Sequence, residues 1–165
     1  MQIQRVLRHL ILPHWWVGRV VPPPLLQSVE RAVAASEAKH RGELRVVIEC
    51  NLPLPALLAD QSARARALEL FAQLRVWDTE ENSGVLIYLQ LLDRRVEIVA
   101  DRGINARLGQ EFWDAVCRQM EAAFRAGDFA GGLQCALDTV TQALYEHFPA
   151  TGENADELPN APLFV

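Results

Sequence analysis

Residues 83–104 read SGVLIYLQLLDRRVEIVADRGI, and this segment contains the clearest hairpin signal of the chain. Segment 85–92 is apolar at nearly every position, which is typical of a strand that is covered on both faces. Segment 95–101 alternates apolar and polar residues, the pattern of a strand with one buried face. Asp93-Arg94 separates the two segments. The sequence therefore predicts a β-hairpin with a two-residue turn.

Helix and strand signals on either side of the hairpin complete the predicted fold. The predicted elements are a helix over 24–40, a strand over 43–51, a helix over 55–74, a helix capped by Asn105 and ended by Gly127, and a final helix capped by Asp128. The resulting order is helix, strand, helix, strand, strand, helix, helix. This order predicts an α/β fold, a three-layer-like sandwich in which a small mixed β-sheet carries helices on both faces.

The length of 165 residues fits one domain. We predict an N-terminal extension over 1–21, an α/β domain over 22–149 and a flexible acidic tail over 150–165. Trp15 and Trp16 are the notable residues of the extension. Packing against the domain is one interpretation of this pair, and contact with a partner or a membrane surface is the other.

Charge and composition narrow the classes of partner and compartment. The formal net charge is −5 and Lys39 is the single lysine, which argues against a nucleic-acid partner. The apolar stretch 10–21 is too short and too interrupted for a transmembrane segment, and no signal-peptide cleavage pattern is present. The three cysteines lack metal-type spacing, so we expect free thiols in a reducing compartment. These features predict a cytoplasmic protein.

Polar residues from three segments are expected at one edge of the sheet. If strands 44–51 and 85–92 are parallel, both begin at the same edge, and the hairpin returns Asp101 to it. The two-residue turn sets Leu86 opposite Asp101. The candidate metal ligands at this edge are Asp78, Glu80, Asn82 and Asp101, with Glu37, His40, Glu43 and Arg102 as further contributors.

Carboxylate and amide oxygens are the ligands that calcium and magnesium prefer. The pattern is not that of an EF-hand, because Ser83 and Leu89 stand where such a loop needs Gly and Glu. The alternative is a solvated acidic loop in which Asp78 or Asp101 caps a helix or forms a turn. His40 is open to two interpretations as well, a metal ligand or a residue at the end of its helix.

The segment 83–104, followed by a helix and then GDFAGGL at 127–133, resembles the TPM-domain family. The resemblance extends over about residues 36–148. It implies an α/β sandwich with a central sheet flanked by helices. The family occurs in bacteria, among other organisms. The activities suggested within it, and thus implied here, are acid phosphatase activity, divalent-cation binding, and a role in the assembly or repair of membrane complexes. Many members carry a signal peptide and a C-terminal membrane helix, and this sequence shows neither pattern.

Three hypotheses follow from the residues and the resemblance. The first is a non-enzymatic accessory domain that binds a divalent cation at the acidic edge. It would also bind a protein partner, membrane-associated or otherwise, through Trp15, Trp16 or residues 163–165. We favour this hypothesis, because the sequence contains no dense catalytic motif. The third hypothesis is an interaction domain without a ligand, and the second is described next.

The second hypothesis is a metal-dependent phosphomonoester hydrolase, an acid phosphatase. Asp101 and Asp78 would hold the metal, Arg102 would bind the phosphate, and a metal-bound water would attack. His40 would act as the general acid.

Overall fold

The computed structural model describes residues 2–11, 17–150 and 157–165, so Trp15 and Trp16 lie outside the described residues. The helices are α1 (Gln2–Ile11), α2 (Val17–Val20), α3 (Pro23–Glu37), α4 (Leu54–Leu58), α5 (Ala63–Gln73), α6 (Arg102–Leu108), α7 (Gln110–Arg125) and α8 (Phe129–His147). The strands are β1 (Leu44–Glu49), β2 (Val85–Gln90), β3 (Arg95–Ala100) and β4 (Leu163–Phe164). None of the helices within the described ranges is long and apolar enough to cross a membrane.

The four strands form one mixed sheet in the order β3-β2-β1-β4. β1 and β2 are parallel, with Leu44 paired to Val85, and α4 and α5 lie between them in the chain. β2 and β3 are antiparallel and form the hairpin. The predicted α/β fold with a small mixed sheet is confirmed.

Each face of the sheet supports its own apolar core. Val46, Ile48 and Ile87 lie in the larger cluster, to which α3, α7 and α8 contribute. Val47 and Leu86 lie in the smaller cluster, with residues of α5. Every residue of β1 and β2 is buried because helices cover both faces, which explains the nearly continuous apolar run in the sequence.

The segment predicted as one helix over 55–74 forms two helices, so that prediction was wrong at its start. α4 ends at Leu58, and Asp60 has a φ of 49° that takes the chain out of helical conformation. Ser62 then caps α5, because its side chain accepts a hydrogen bond from the Ala65 amide.

The cap predicted at Asn105 was also wrong. The helix there begins at Arg102, and the Asp101 side chain caps it. Asn105 lies inside α6, and its Oδ1 accepts a hydrogen bond from Trp113 Nε1 at 3.0 Å. Gly109, with a φ of 76°, separates α6 from α7, a conformation that glycine adopts without strain. Asp128 caps α8 as predicted.

The hairpin register differs from the predicted one by two residues. Leu86 pairs with Val99, and the last pair is Gln90 with Arg95. The turn therefore has four residues, 91–94, and the side-chain Oε1 of Gln90 accepts a hydrogen bond from the amide of Asp93 at 2.9 Å. A shift of two residues keeps the same side chains on the same face, and Asp101 still follows the end of β3.

Both ends of the chain contact the domain within the described residues. Residues 157–165 do not form a separate tail, because β4 pairs in parallel with β1 through Val47 and Leu163. The expectation of a flexible tail was wrong for these nine residues, whose two-residue strand gives no periodic signal in the sequence. At the other end, Arg5 of α1 forms an ion pair with Asp93 at 2.7 Å.

Candidate functional site

The edge where β1 and β2 begin carries the candidate site, and the loop before β2 builds it. The Thr79 side chain is buried, and its Oγ1 accepts a hydrogen bond from the Ser83 amide at 3.1 Å. The Thr79 carbonyl accepts a second one from the Asn82 amide at 3.2 Å. Asn82 has a φ of 53°, in the left-handed region that asparagine tolerates better than most residues. These bonds hold the polar loop in one compact turn.

The start of α6 lies directly against this loop. The amide of Gly103 donates to the Asn82 carbonyl at 2.9 Å. A Cβ at position 103 would lie 2.5 Å from that carbonyl oxygen and 2.7 Å from that of Glu81, so only glycine fits without movement. The Asp101-Arg102-Gly103 sequence thus meets the loop because its third residue lacks a side chain.

Asp101 is the buried carboxylate at the start of α6. Its side chain is buried, and Oδ1 accepts a hydrogen bond from the Arg102 amide at 2.7 Å. Its other oxygen, Oδ2, is buried and has no hydrogen-bond partner among the described residues. Burying a carboxylate oxygen without a partner costs free energy, so this oxygen is suited to accept a donor or a cation.

Asn82 and Arg102 meet as well. The Nε of Arg102 donates to Asn82 Oδ1 at 2.8 Å, and both side chains are accessible to solvent. The topology inferred from the sequence thus brought together residues 20 positions apart. The guanidinium group already satisfies the amide oxygen that a cation would use.

The other loop carboxylates face outward. Asp78 lies 3.9 Å from Arg75, and more than half of its side chain is exposed. Glu80 is exposed too, while Glu81 forms an ion pair with Arg41. Within residues 2–11, 17–150 and 157–165, no group of three His, Cys, Asp or Glu side chains is arranged to hold a metal ion.

Two of the further contributors bind the protein's own main chain. Oε1 of Glu37 accepts a hydrogen bond from the Leu44 amide at 3.2 Å. The Glu43 carboxylate accepts hydrogen bonds from the amides of Glu157 and Leu158, at 3.3 and 3.1 Å. Both carboxylates are buried, so they serve the fold at this edge and are not exposed ligands.

His40 is fully buried and cannot exchange protons with a bound substrate. Its Nδ1 donates to the Gly42 carbonyl at 2.9 Å, and Nε2 accepts from Ser36 Oγ at 2.6 Å. Burial lowers the pKa of the ring to about 4, which keeps the imidazole neutral near pH 7. The role of general acid assigned to His40 from the sequence is therefore wrong.

Sequence reasoning missed a buried polar network on the face of the sheet that α5 covers. Glu49, at the end of β1, accepts a hydrogen bond from Arg66 Nη2 at 2.8 Å and another from the Tyr88 hydroxyl at 2.5 Å. The hydrogen bond to Glu49 and burial raise the pKa of Tyr88, burial being the larger cause. The alternation of β1, which places Glu49 opposite the larger core, was the available signal.

The comparison with known protein families decides the classification. The TPM domain matches residues 20–143. The chain belongs to the TPM-domain family. The resemblance noted in the sequence is thereby confirmed, and the match includes the loop, the hairpin and α6.

Solved TPM-fold structures resemble this chain closely. The BA42 protein from the psychrophilic bacterium Bizionia argentinensis, determined by NMR, is 28% identical, with a TM-score of 0.72 over 86% of this chain and 93% of that one. The N-terminal domain of a P. gingivalis protein, also an NMR structure, is 23% identical and has a TM-score of 0.62 over 81% of this chain and 83% of that one. The second likeness concerns the fold alone. No curated protein matches the chain.

Proposed function

We propose that this TPM domain is a non-enzymatic accessory domain that binds a divalent cation, magnesium or calcium, at the edge formed by the Asp78–Ser83 loop and the start of α6. Cation binding there regulates its association with a protein partner. The observation that supports the proposal is the buried Oδ2 of Asp101, which has no hydrogen-bond partner in the described part of the chain.

The proposed ligand set has few protein ligands, and water would complete the coordination of the ion. Asp101 supplies one buried carboxylate, and Asn82 supplies an amide oxygen from the adjoining loop. Asp78 and Glu80 are exposed side chains of the same loop, and they would have to reorient to reach the ion. Magnesium in particular binds proteins through one or two carboxylates and keeps several of its waters, so such an arrangement suits it.

Arg102 competes with the cation. Its guanidinium bonds Asn82 Oδ1, so an ion that uses this oxygen must displace it. Displacement would leave the exposed Arg102 side chain free to contact a partner. This exchange links the bound ion to the surface that a partner meets.

The exposed side chain of Trp77, next to the loop, supports the proposal of a protein partner. Trp77 precedes Asp78 and is 48% exposed. Tryptophan is enriched among the residues that contribute most to protein–protein binding. A partner that covers Trp77 would also contact the loop, and membrane-associated proteins are included among the candidates. The phosphatase alternative lacks support, because its proton donor, His40, is fully buried.

Thermal unfolding tests the cation site. The wild-type protein is unfolded in EDTA and then with magnesium or calcium, and an ion that binds the native state raises the midpoint. Asp101→Asn keeps a capping oxygen for α6 but removes the charge, so we expect it to abolish the rise. The matched control is Asp138→Asn on the exposed face of α8, where Gln134 bonds the carboxylate, and it should keep the full rise.

Two results would contradict the proposal: no rise in wild type with either ion, or an undiminished rise in Asp101→Asn. Retention in both Asp101→Asn and Asp138→Asn would indicate nonspecific ion binding.

A further inference from the structure

We propose that the outer edge of β1 is a peptide-binding groove that the chain's own segment 157–165 occupies, and that a partner protein binds there by supplying an extended segment of the same kind. The inference is independent of the cation site. It rests on how the described end of the chain is held.

The segment completes the sheet by strand addition. The Val165 amide donates to the Ile48 carbonyl at 3.0 Å, and the Cys50 amide donates to the Val165 carbonyl at 3.4 Å. Without the segment, β1 would be the edge strand, with its main-chain groups unpaired. An edge of this kind accepts any extended peptide that presents its own main-chain groups in register.

Two buried charged side chains bind the main chain of the segment. The Glu43 carboxylate accepts hydrogen bonds from the amides of residues 157 and 158. Arg45 Nη1 donates to the Ala161 carbonyl at 2.6 Å and also to the Pro159 carbonyl. Glu43 and Arg45 are two positions apart, so they lie on the same face of the chain.

The two charged side chains are buried when the segment lies in the groove. Glu43 is 1% exposed and Arg45 is 7% exposed. A buried charge is costly unless it is hydrogen-bonded, and these two bond peptide groups of the segment. They recognise the geometry of an extended main chain, so the same contacts are available to a segment of different sequence.

Apolar contacts add selectivity. Leu158 and Leu163 pack against the smaller apolar cluster, beside Val47 and Leu86. Pro159 and Pro162 hold their φ angles near the extended value, which lowers the entropy that the segment loses on binding. The groove thus favours an extended, proline-containing segment with leucine-like residues at two positions.

The segment is held more weakly than the rest of the sheet. β4 forms two residue pairs with β1, whereas β2 forms six. Phe164 and Val165 remain 40% and 42% exposed. Few pairs and exposed ends are features of elements that open locally at low free energy. The segment can therefore leave the groove while the sheet stays folded, and a partner segment can replace it.

A labelled peptide of residues 157–165, ELPNAPLFV, tests the groove in the full-length protein by fluorescence anisotropy. The tethered segment competes at an effective concentration on the order of millimolar, so wild type should bind the peptide weakly. Leu163→Asp places a charge in the apolar contact, releases the tethered segment and should increase peptide affinity at least tenfold. Phe164→Asp adds the same charge at the neighbouring exposed position and should bind as wild type does.

A modified peptide gives a second test in which the protein stays the same and only the ligand changes. N-methylation of the leucine that corresponds to Leu158 removes one donor to Glu43, and we expect at least tenfold weaker binding to the Leu163→Asp protein. Circular dichroism establishes that this variant is folded. The proposal is overturned if the folded variant binds the peptide no better than wild type, or if a scrambled peptide binds equally well.

Discussion

The two aspartates at opposite ends of the β2–β3 hairpin have opposite surroundings. Asp93, in the turn, accepts a hydrogen bond from Arg5 at 2.8 Å and one from His9 at 3.1 Å. Asp101, after β3, has one oxygen bonded to an amide and the other buried without a partner in the described chain. Asp93 is thus a carboxylate that stabilises the fold, whereas Asp101 has an oxygen that could still bind a ligand.

The partners of Asp93 change its chemistry. Burial alone would raise the pKa of Asp93, but hydrogen bonds from Arg5 and His9 together bring it below its ordinary value. These partners belong to α1, so the ionised carboxylate attaches the N-terminal helix to the hairpin. A carboxylate used in this way has little capacity left for a cation.

A pH titration should distinguish the two ends of the hairpin, and it has the largest expected effect. His40, at the Asp101 end, has a folded pKa of about 4 against 6.5 for the free side chain. The unfolded chain therefore binds the proton first, so stability is complete above pH 6.5 and falls as pH decreases towards 4. We expect a loss of about 2–3 kcal/mol between pH 7 and pH 4.5.

Urea unfolding of wild type and His40→Gln at several pH values measures this loss. The glutamine variant should lose the part of the pH dependence that lies between 6.5 and 4. Asp93 acts in a lower window, because its pKa is depressed and its contribution is lost only as pH falls through that value. An unchanged slope in His40→Gln would mean that other groups cause the acid sensitivity.

Neutralising Asp93 has the next largest expected effect. Asp93→Asn leaves the Arg5 guanidinium without its counter-charge and removes the charged acceptor of the hydrogen bond from His9, so we expect a loss of about 2 kcal/mol in the free energy of unfolding. Urea unfolding at pH 7 measures the change. Asp138→Asn, exposed on α8, is the control and should stay within about 0.5 kcal/mol of wild type. An equally small change in Asp93→Asn would remove the contrast between the two aspartates.

The sequence predicted the Asp101 end better than the Asp93 end, for a physical reason. The apolar run of β2 indicated a strand with two covered faces, and the assumption that it lies parallel to β1 placed Asn82 and Arg102 at the same edge of the sheet. Asp93 depends on Arg5, which is 88 positions away on a short helix, and no periodicity in the sequence records that contact.

The errors of prediction have local causes as well. The helical pattern of apolar residues continues across Gly109, so the break between α6 and α7 was visible only in the left-handed φ that glycine permits. The direction of Glu43 depends on the segment at 157–158, which the sequence pattern assigned to a tail. Side chains that bind main-chain groups were predicted to contribute to a metal site, because spacing along the chain does not reveal their partners.

The smallest change in the free energy of unfolding is expected for Asp101→Asn, and we expect it to have the opposite sign to that of Asp93→Asn. In EDTA, Asp101→Asn removes a buried charge whose Oδ2 has no hydrogen-bond partner among the described residues, while the amide oxygen can still accept from the Arg102 amide. The variant should therefore be as stable as wild type or more stable by up to about 1 kcal/mol, measured by urea unfolding. A loss comparable to that of Asp93→Asn would instead make Asp101 a structural carboxylate like Asp93, and the ligand capacity inferred for its free oxygen would have no energetic basis.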